Sequence, residues 1–313
     1  MHIIKYTVVM KRSIKRLPKR TQEELNVLLK LITYHIPKCE MIILFGSYAR
    51  GGYVLWDEKV EFGVHTSYQS DLDIMVVINQ SNTRITEYKL RNKVLPPYFK
   101  AFEHRRYAMP QFIVEDAAIL NKELEKKQYF YTDIVKEGIK LYDSKVVKLA
   151  KPLPLSFKEI KQIAVDEFNI YYPDGEGFLE AGYFFMTNNK YKLGSFQLHQ
   201  ACERFYNAIT LVFTNYRPKS HKLPTLYARV KEYSRELSIV FPQTTDFETR
   251  CYDLLCRAYI EARYNKDFMV TKEELEYMLQ RTEVLKDITY RLCNEKIASY
   301  DGLIEEEERE QKK

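Results

Sequence analysis

No uninterrupted apolar run in the 313 residues approaches the roughly 18 needed to span a bilayer, so no transmembrane helix is expected. Cysteine is scarce and odd in number, five residues without paired spacing, which excludes a disulfide framework. Cys251 and Cys256 sit within what reads as one helix and are expected to be buried thiols. Tryptophan occurs once; 25 Tyr and 17 Phe nevertheless raise the aromatic content to 14%, so core and clefts should be rich in rings. No internal repeat is visible, and the only biased segment is Glu305–Glu310, read as a frayed, solvated tail. The stretch before Met10 has only the short apolar run Tyr6–Met10 and no small-residue cleavage site, so it does not read as a signal peptide. Together these absences fit a reducing cytoplasm.

What is present is an ordinary globular composition, 45% hydrophobic and 29% charged, long enough for about two domains. The net charge of +6 is unevenly spread. Residues 1–150 carry 25 Lys and Arg against 17 Asp and Glu, whereas residues 151–313 carry 24 against 26. The basic half is the one expected to meet phosphate or another anion. Acid is missing altogether before Thr21, where seven Lys and Arg form a basic leader (1–20). That leader has two readings, a flexible solvated tail or a nucleic-acid contact.

Periodicity then divides the chain. Leu25, Leu28, Leu29, Ile32 and Ile36 follow helical spacing from Thr21, and Pro37 closes that helix. Met41–Phe45 reads as a strand ended by Gly46, with a helical opening at Ser47–Arg50. Asp71–Ile78 is a second strand, and a helix through Ile85, Tyr88 and Leu95 is expected to stop at Pro96–Pro97. Gln111–Val114 makes a third strand, followed by helix Ala117–Lys127 and a return through Phe130–Leu141. Lys151–Pro154 breaks regular structure as a linker. Beyond it only helices are expected, at about 157–171, 177–189, 194–214, 222–237, 247–264 and 271–297, with turn chemistry at Pro173-Asp174-Gly175, Asn188-Asn189, Pro218 and Pro242. The predicted architecture is therefore an α+β domain (21–150), a short mixed sheet with flanking helices, then an all-α helix bundle (151–300) and an acidic tail (301–313).

The most informative segment is Gly46-Ser47-Tyr48-Ala49-Arg50-Gly51, followed by Ser70-Asp71-Leu72-Asp73. Without a side chain, Gly46 lets the backbone approach a ligand closely. Ser47 adds a hydroxyl and an N–H at a helix start, a place that suits phosphate. Asp71 and Asp73, two apart on a strand, face the same side, while Leu72, Ile74 and Val76 take the other. Two hard carboxylates at that separation suit Mg²⁺, and a metal pair about 4 Å apart activates an attacking oxygen and stabilises a leaving pyrophosphate. Each piece alone is common; their order is what carries the reading. Gly46 and Ser47, with Arg50 in the same turn, are the candidate nucleotide-binding residues, and Asp71 and Asp73 the candidate catalytic and metal-binding pair.

These residues resemble the nucleotidyltransferase fold of the DNA polymerase β superfamily, specifically its minimal branch, over about residues 22–145. The resemblance implies that Gly46 and Ser47 hold the triphosphate of ATP or another NTP. It further implies that Ser70 sits beside the phosphates and that Asp71 and Asp73 ligate two Mg²⁺ ions. The spacer from Ser47 to Asp71 is longer than in the smallest members, and its Tyr53, Trp56, Glu61, Phe62, His65 and Tyr68 suggest a hairpin beside the site. The superfamily usually places a third carboxylate on the next core strand. That strand here reads Gln111-Phe112-Ile113-Val114-Glu115, so Glu115 either serves as base from the strand end or is a surface residue opening the next helix.

In the second half, Phe196–Tyr206 is amphipathic, followed by the loop Tyr216–Leu223 and by Ala258-Tyr-Ile-Glu-Ala-Arg-Tyr264. This order resembles the HEPN domain over about 157–297, which implies a homodimer formed through the helical domain. Many such domains are RNases with Arg-x4–6-His on a late helix. Here Arg263 is followed at those positions by Phe268, Met269 and Val270, and Arg257 by Ala262, Arg263 and Tyr264, so the motif is missing. Arg263 binds an anion or pairs with Glu261 or another acid; His199 is either an interior hydrogen-bonded residue or lines a pocket with Glu203.

Two function classes follow. One is a Mg²⁺-dependent nucleotidyltransferase moving an NMP, AMP from ATP in the first instance, onto a hydroxyl of a small molecule, a protein tyrosine or an RNA end. The other is a nucleotide-binding regulatory or antitoxin-like module without turnover and without RNase activity.

Overall fold

The computed structural model describes residues 10–61, 64–153 and 155–312. They divide into two compact units, one of residues up to Val60 and from Ser67 to 153, the other of Glu61–Thr66 and the chain from Leu155 onward. Before Leu155, α1 (Lys19–His35) leads into β1 (Cys39–Phe45), α2 (Gly46–Arg50), the hairpin β2 (Asp57–Glu61) and β3 (Val64–Tyr68), and β4 (Leu72–Ile78). Helices α3 (Thr83–Lys89) and α4 (Leu95–Phe102), β5 (Pro110–Asp116), α5 (Ala117–Glu125), α6 (Tyr129–Glu137) and β6 (Ile139–Asp143) follow. The sheet order is β5-β4-β1-β6, mixed, with β4–β5 parallel and both β1 pairings antiparallel; β2 and β3 pair separately.

Period-two alternation gives the sheet its two faces. Ile42, Leu44, Leu72, Ile74, Val76, Ile78 and Val114 join Leu25, Leu28 and Ile32 of α1 and Tyr98 and Phe102 of α4 in one core. On the opposite face Phe45 meets Phe130 of α6 edge-on at 5.9 Å, and Gly138 lies against Ile43 with no room for a Cβ. All seven residues of β1 are buried, and in β4 the single position that is not is Asp73.

Two expectations fail here. The helix expected to stop at Pro96–Pro97 continues instead: a π turn at Leu90–Val94 joins α3 to α4, whose first turn contains both prolines. A proline costs nothing there, since first-turn N–H groups have no intrahelical partner. Ile85 and Tyr88 are also exposed, and Thr86, Leu90 and Val94 form the buried face. The basic leader is not a free tail over residues 10–18. Met10 and Leu17 are buried, and Lys11 bridges Ile139, its carbonyl accepting from the Lys140 N–H at 2.8 Å. Residues 1–9 lie outside the described residues, and Lys19 and Arg20 open α1.

From Leu155 onward the described chain is all-helical: α7 (Phe157–Thr187), α8 (Tyr191–Thr214), α9 (Leu223–Val230), a 3-10 turn at Arg235–Ile239, α10 (Asp246–Tyr264) and α11 (Lys272–Gln311). Capping boxes start three of them, Ser156 with Glu159, Thr245 with Glu248 and Thr271 with Glu274. Two turn or tail assignments are corrected. Pro173-Asp174-Gly175 lies inside α7: Tyr171 and Tyr172 just before it and Gly175 itself are buried, and packing outweighs the one backbone bond that the proline removes. Glu305–Glu310 is the exposed last part of a 40-residue helix, not a frayed tail. No described helix is long and apolar enough to cross a membrane.

The glycines of α7 give a test with opposite signs. A Cβ at Gly175 would meet the Phe205 ring at 2.5 Å, whereas one at Gly177 meets nothing within 4 Å. Gly177→Ala should stabilise the protein by up to about 1 kcal/mol through helix propensity. Gly175→Ala should cost about 1–3 kcal/mol through overpacking. Denaturant titration of both variants reads the two signs.

Candidate functional site

The candidate site lies where β1 ends and β4 begins. Antiparallel register sets Phe45 opposite Asp73, so the residue after Phe45, Gly46, meets the Asp73 side chain. Gly46 has φ of 70°, and a Cβ built on it would overlap the Asp73 carboxylate, its Cγ being 3.1 Å away. Both facts demand glycine. Helix α2 then ends at Gly51, φ 97°, whose N–H donates to the Ser47 carbonyl at 2.8 Å. Tyr48 is fully buried and stacks on Tyr53 with centroids 4.6 Å apart, holding α2 against the start of the excursion towards β2. Ser47 lies at 9% exposure, and Arg50 is exposed.

Asp71 precedes β4 and is buried; Asp73 is partly open. Their two-residue spacing sends both side chains to the face opposite Leu72 and Ile74, which sit in the core. Gly46, Ser47, Asp71 and Asp73 are thus brought to one corner of the sheet. Two carboxylates facing one way fit Mg²⁺ carried in by a phosphate-bearing substrate, since that ion takes one or two carboxylates and completes its shell with phosphate and water. Among the described residues no group of three or more His, Cys, Asp and Glu gathers to hold a metal by itself.

Two predicted members are placed elsewhere. Ser70 is 2% exposed and tied to Val54: its N–H donates to the Val54 carbonyl, and the Val54 N–H donates to its hydroxyl, both at 2.9 Å. That pair closes the neck of the 51–70 excursion, and the excursion forms the expected hairpin. Glu115 pairs in register with Val77, four rungs from the Asp73–Gln111 pair, about 13 Å along the strand. It is 1% exposed and accepts a hydrogen bond from the Tyr131 hydroxyl at 2.9 Å. It is neither beside the aspartates nor on the surface. The residue beside Asp73 on β5 is Gln111.

In the helical unit, His199 and Arg263 meet around one ring that sequence reasoning passed over, Tyr259, and Glu203 is linked to it through His221. His199 lies 5.3 Å from it and His221 stacks on it at 5.0 Å, while the Arg263 guanidinium sits 4.7 Å from its centre. Helical spacing from Tyr259 to Arg263, four residues, was the available signal. His199 is fully buried, its Nδ1 2.9 Å from the Leu255 carbonyl and its Nε2 3.0 Å from the His221 carbonyl. It is the interior, hydrogen-bonded histidine. Glu203 is buried too, with His221 Nδ1 at 2.8 Å. Arg263 does not pair with Glu261: its Nε donates to the Tyr259 carbonyl at 2.8 Å, and Glu261 pairs with Arg257.

Burial holds the His199 pKa below its ordinary 6.5, outweighing the two carbonyls and Glu203, which favour the charged ring. The unfolded chain therefore binds more protons than the folded one below that pH, and stability falls on acidification. Stability measured by urea should decline from about pH 6.5 downward. His199→Gln should flatten that slope while lowering stability throughout.

Residues 171–292, from within α7 to within α11, match the family model of the HEPN domain, so the helical unit contains a HEPN domain. No curated protein matches the chain.

Proposed function

We propose that the sheet unit binds a nucleoside triphosphate as its Mg²⁺ complex and transfers the nucleoside monophosphate, AMP in the case of ATP, to a hydroxyl acceptor. The observation that carries this reading is the contact of the Asp73 carboxylate with Gly46, with Asp71 on the same side of the chain. It puts the Asp73 oxygens beside the glycine turn that opens α2, with its backbone N–H groups. Asp71 and Asp73 would hold the metal, and Ser47 would donate its hydroxyl and N–H to phosphate oxygens. Bound Mg²⁺ would supply charge neutralisation at the phosphates and lower the pKa of the attacking hydroxyl. The minimal nucleotidyltransferase resemblance supports the same assignment, and the matched HEPN domain agrees with the resemblance in the other half.

A second reading has its own support. Beside Asp73 the neighbouring strand carries the neutral Gln111, and Glu115 is buried four rungs away with Tyr131. No carboxylate of β5 stands ready to take the acceptor's proton, which favours a nucleotide-binding regulatory module, antitoxin-like, with slow turnover or none. RNA cleavage belongs to neither reading, because the Arg-x4–6-His motif is missing from the sequence.

The double variant Asp71→Asn with Asp73→Asn should lose calorimetric binding of Mg·ATP and any transfer of labelled AMP. Unaltered binding in that variant would sink both readings. Binding without labelling of protein, RNA or small hydroxyl acceptors by the unmodified chain selects the regulatory module.

A further inference from the structure

The seven leader cations were set apart from the site by sequence; the fold brings one of them to it. Between Lys11, bonded to the edge of β6, and Leu17, buried under α1, the chain crosses the end of α2. There Arg16 donates a guanidinium N–H to the carbonyl of Ala49, 33 residues on in sequence. Ala49 belongs to the same five-residue turn of helix as Gly46 and Ser47. The backbone presenting Arg16 is held on both sides: the Leu17 N–H bonds to the Ile14 carbonyl at 2.9 Å, and the Gln22 side chain donates to the Leu17 carbonyl at 2.7 Å.

A guanidinium carries five N–H donors, and the Ala49 carbonyl takes one. Arg16 is otherwise exposed, and among the described residues it makes no ion pair; its neighbour Arg20, by contrast, is matched by Glu24. A planar cation anchored by one bond, open on its remaining edge and uncompensated by acid, is suited to two oxygens of one anion. Its position at α2 selects which anion. Asp71, Asp73 and Gly46 would meet the reacting phosphate and its metal, and Arg16 approaches from the other end of the same short helix.

We propose that Arg16 binds the polyphosphate end of the nucleotide, so that the basic leader completes the site and makes it selective for triphosphates over monophosphates. This rests on the nucleotide-binding reading given above, and the test separates the two. Mg·ATP and AMP are titrated, AMP by competition, against the full chain and its Arg16→Ala, Arg16→Lys and Lys15→Ala variants, with a thermal melt of each. Lys15 is exposed and removes the same charge one residue away. The expected result is a Kd for Mg·ATP raised about tenfold in Arg16→Ala, the size of a lost charge-assisted hydrogen bond. AMP affinity should stay within about twofold, as should Mg·ATP affinity in Lys15→Ala, and Arg16→Lys should recover part of the loss. Arg16→Ala binding Mg·ATP as the unmodified chain does would overturn the proposal. So would an equal loss for ATP and AMP accompanied by a lower melting temperature, which marks Arg16 as a clamp on α2 alone. Binding of Mg·ATP that survives Asp71→Asn with Asp73→Asn would instead remove the nucleotide reading, and the proposal with it.

Discussion

The first unit is organised by one close approach, that of the Asp73 side chain to Gly46, where it takes the space a Cβ would need. It requires the antiparallel register that sets Phe45 opposite Asp73, and a one-residue slip would send every side chain of β4 to the wrong face. The register is in turn held by the core side of the same strands, Ile42 and Leu44 with Leu72, Ile74 and Val76, packed under α1 and α4. So the apolar face fixes where the polar face delivers its carboxylates. The positive φ at Gly46 starts α2 immediately, and the fully buried Tyr48 keeps that short helix from swinging away. A site built this way has little freedom to adjust to a ligand at Gly46 and more at its rim, where Arg50 and Arg16 are exposed.

The excursion between α2 and β4 obeys the same logic. A long insertion next to a functional strand is tolerable only if its two ends are held together, because loop closure itself costs little more with length. The reciprocal Val54–Ser70 bonds do this one residue before Asp71, and the Tyr48–Tyr53 stack does it on the other side. Ser70 thus fixes the entry of β4, immediately before Asp71. Further out, Trp56 is covered by Arg106 at 4.0 Å and bonded to Glu58, so this part of the excursion has polar and cationic contacts of its own.

Legibility in the sequence followed burial periodicity. Strands β1, β4 and β5, helix α1, and the two faces of β4 were readable because apolar patterning is a local signal, whereas α6 and β6 were read only as a return through Phe130–Leu141. Gly46, Ser47, Asp71 and Asp73 were readable because their spacing carries chemistry. The misread elements are those decided by tertiary partners. Pro173 lies within a helix because Tyr171 and Tyr172 just before it are buried, and Ile85 and Tyr88 are outward because Thr86, Leu90 and Val94 pack inward. Glu115 was beyond reach for another reason: nothing in Gln111–Glu115 states which of its alternate residues lines up with Asp73. Arg16 was lost in a run of like charges, where only the path of the backbone distinguishes one cation from the next.

Gln111 is where the two functional readings part. It shares its rung and face with Asp73, so whatever Asp73 binds is also within reach of a neutral amide. An amide oxygen can accept a hydrogen bond or contribute to a hard cation's shell, but it takes no proton at neutral pH. Two carboxylates with an amide still favour Mg·NTP binding, because the phosphates bring the remaining negative charge. Turnover asks for more, namely a base within hydrogen-bond reach of the acceptor hydroxyl. With Glu115 withdrawn into the fold beside Tyr131, that base has to come from the acceptor, from solvent or from a segment other than β5. The geometry of this corner therefore supports the proposed binding more directly than the proposed transfer, and the acceptor's own acidity becomes the property on which a transferase reading depends.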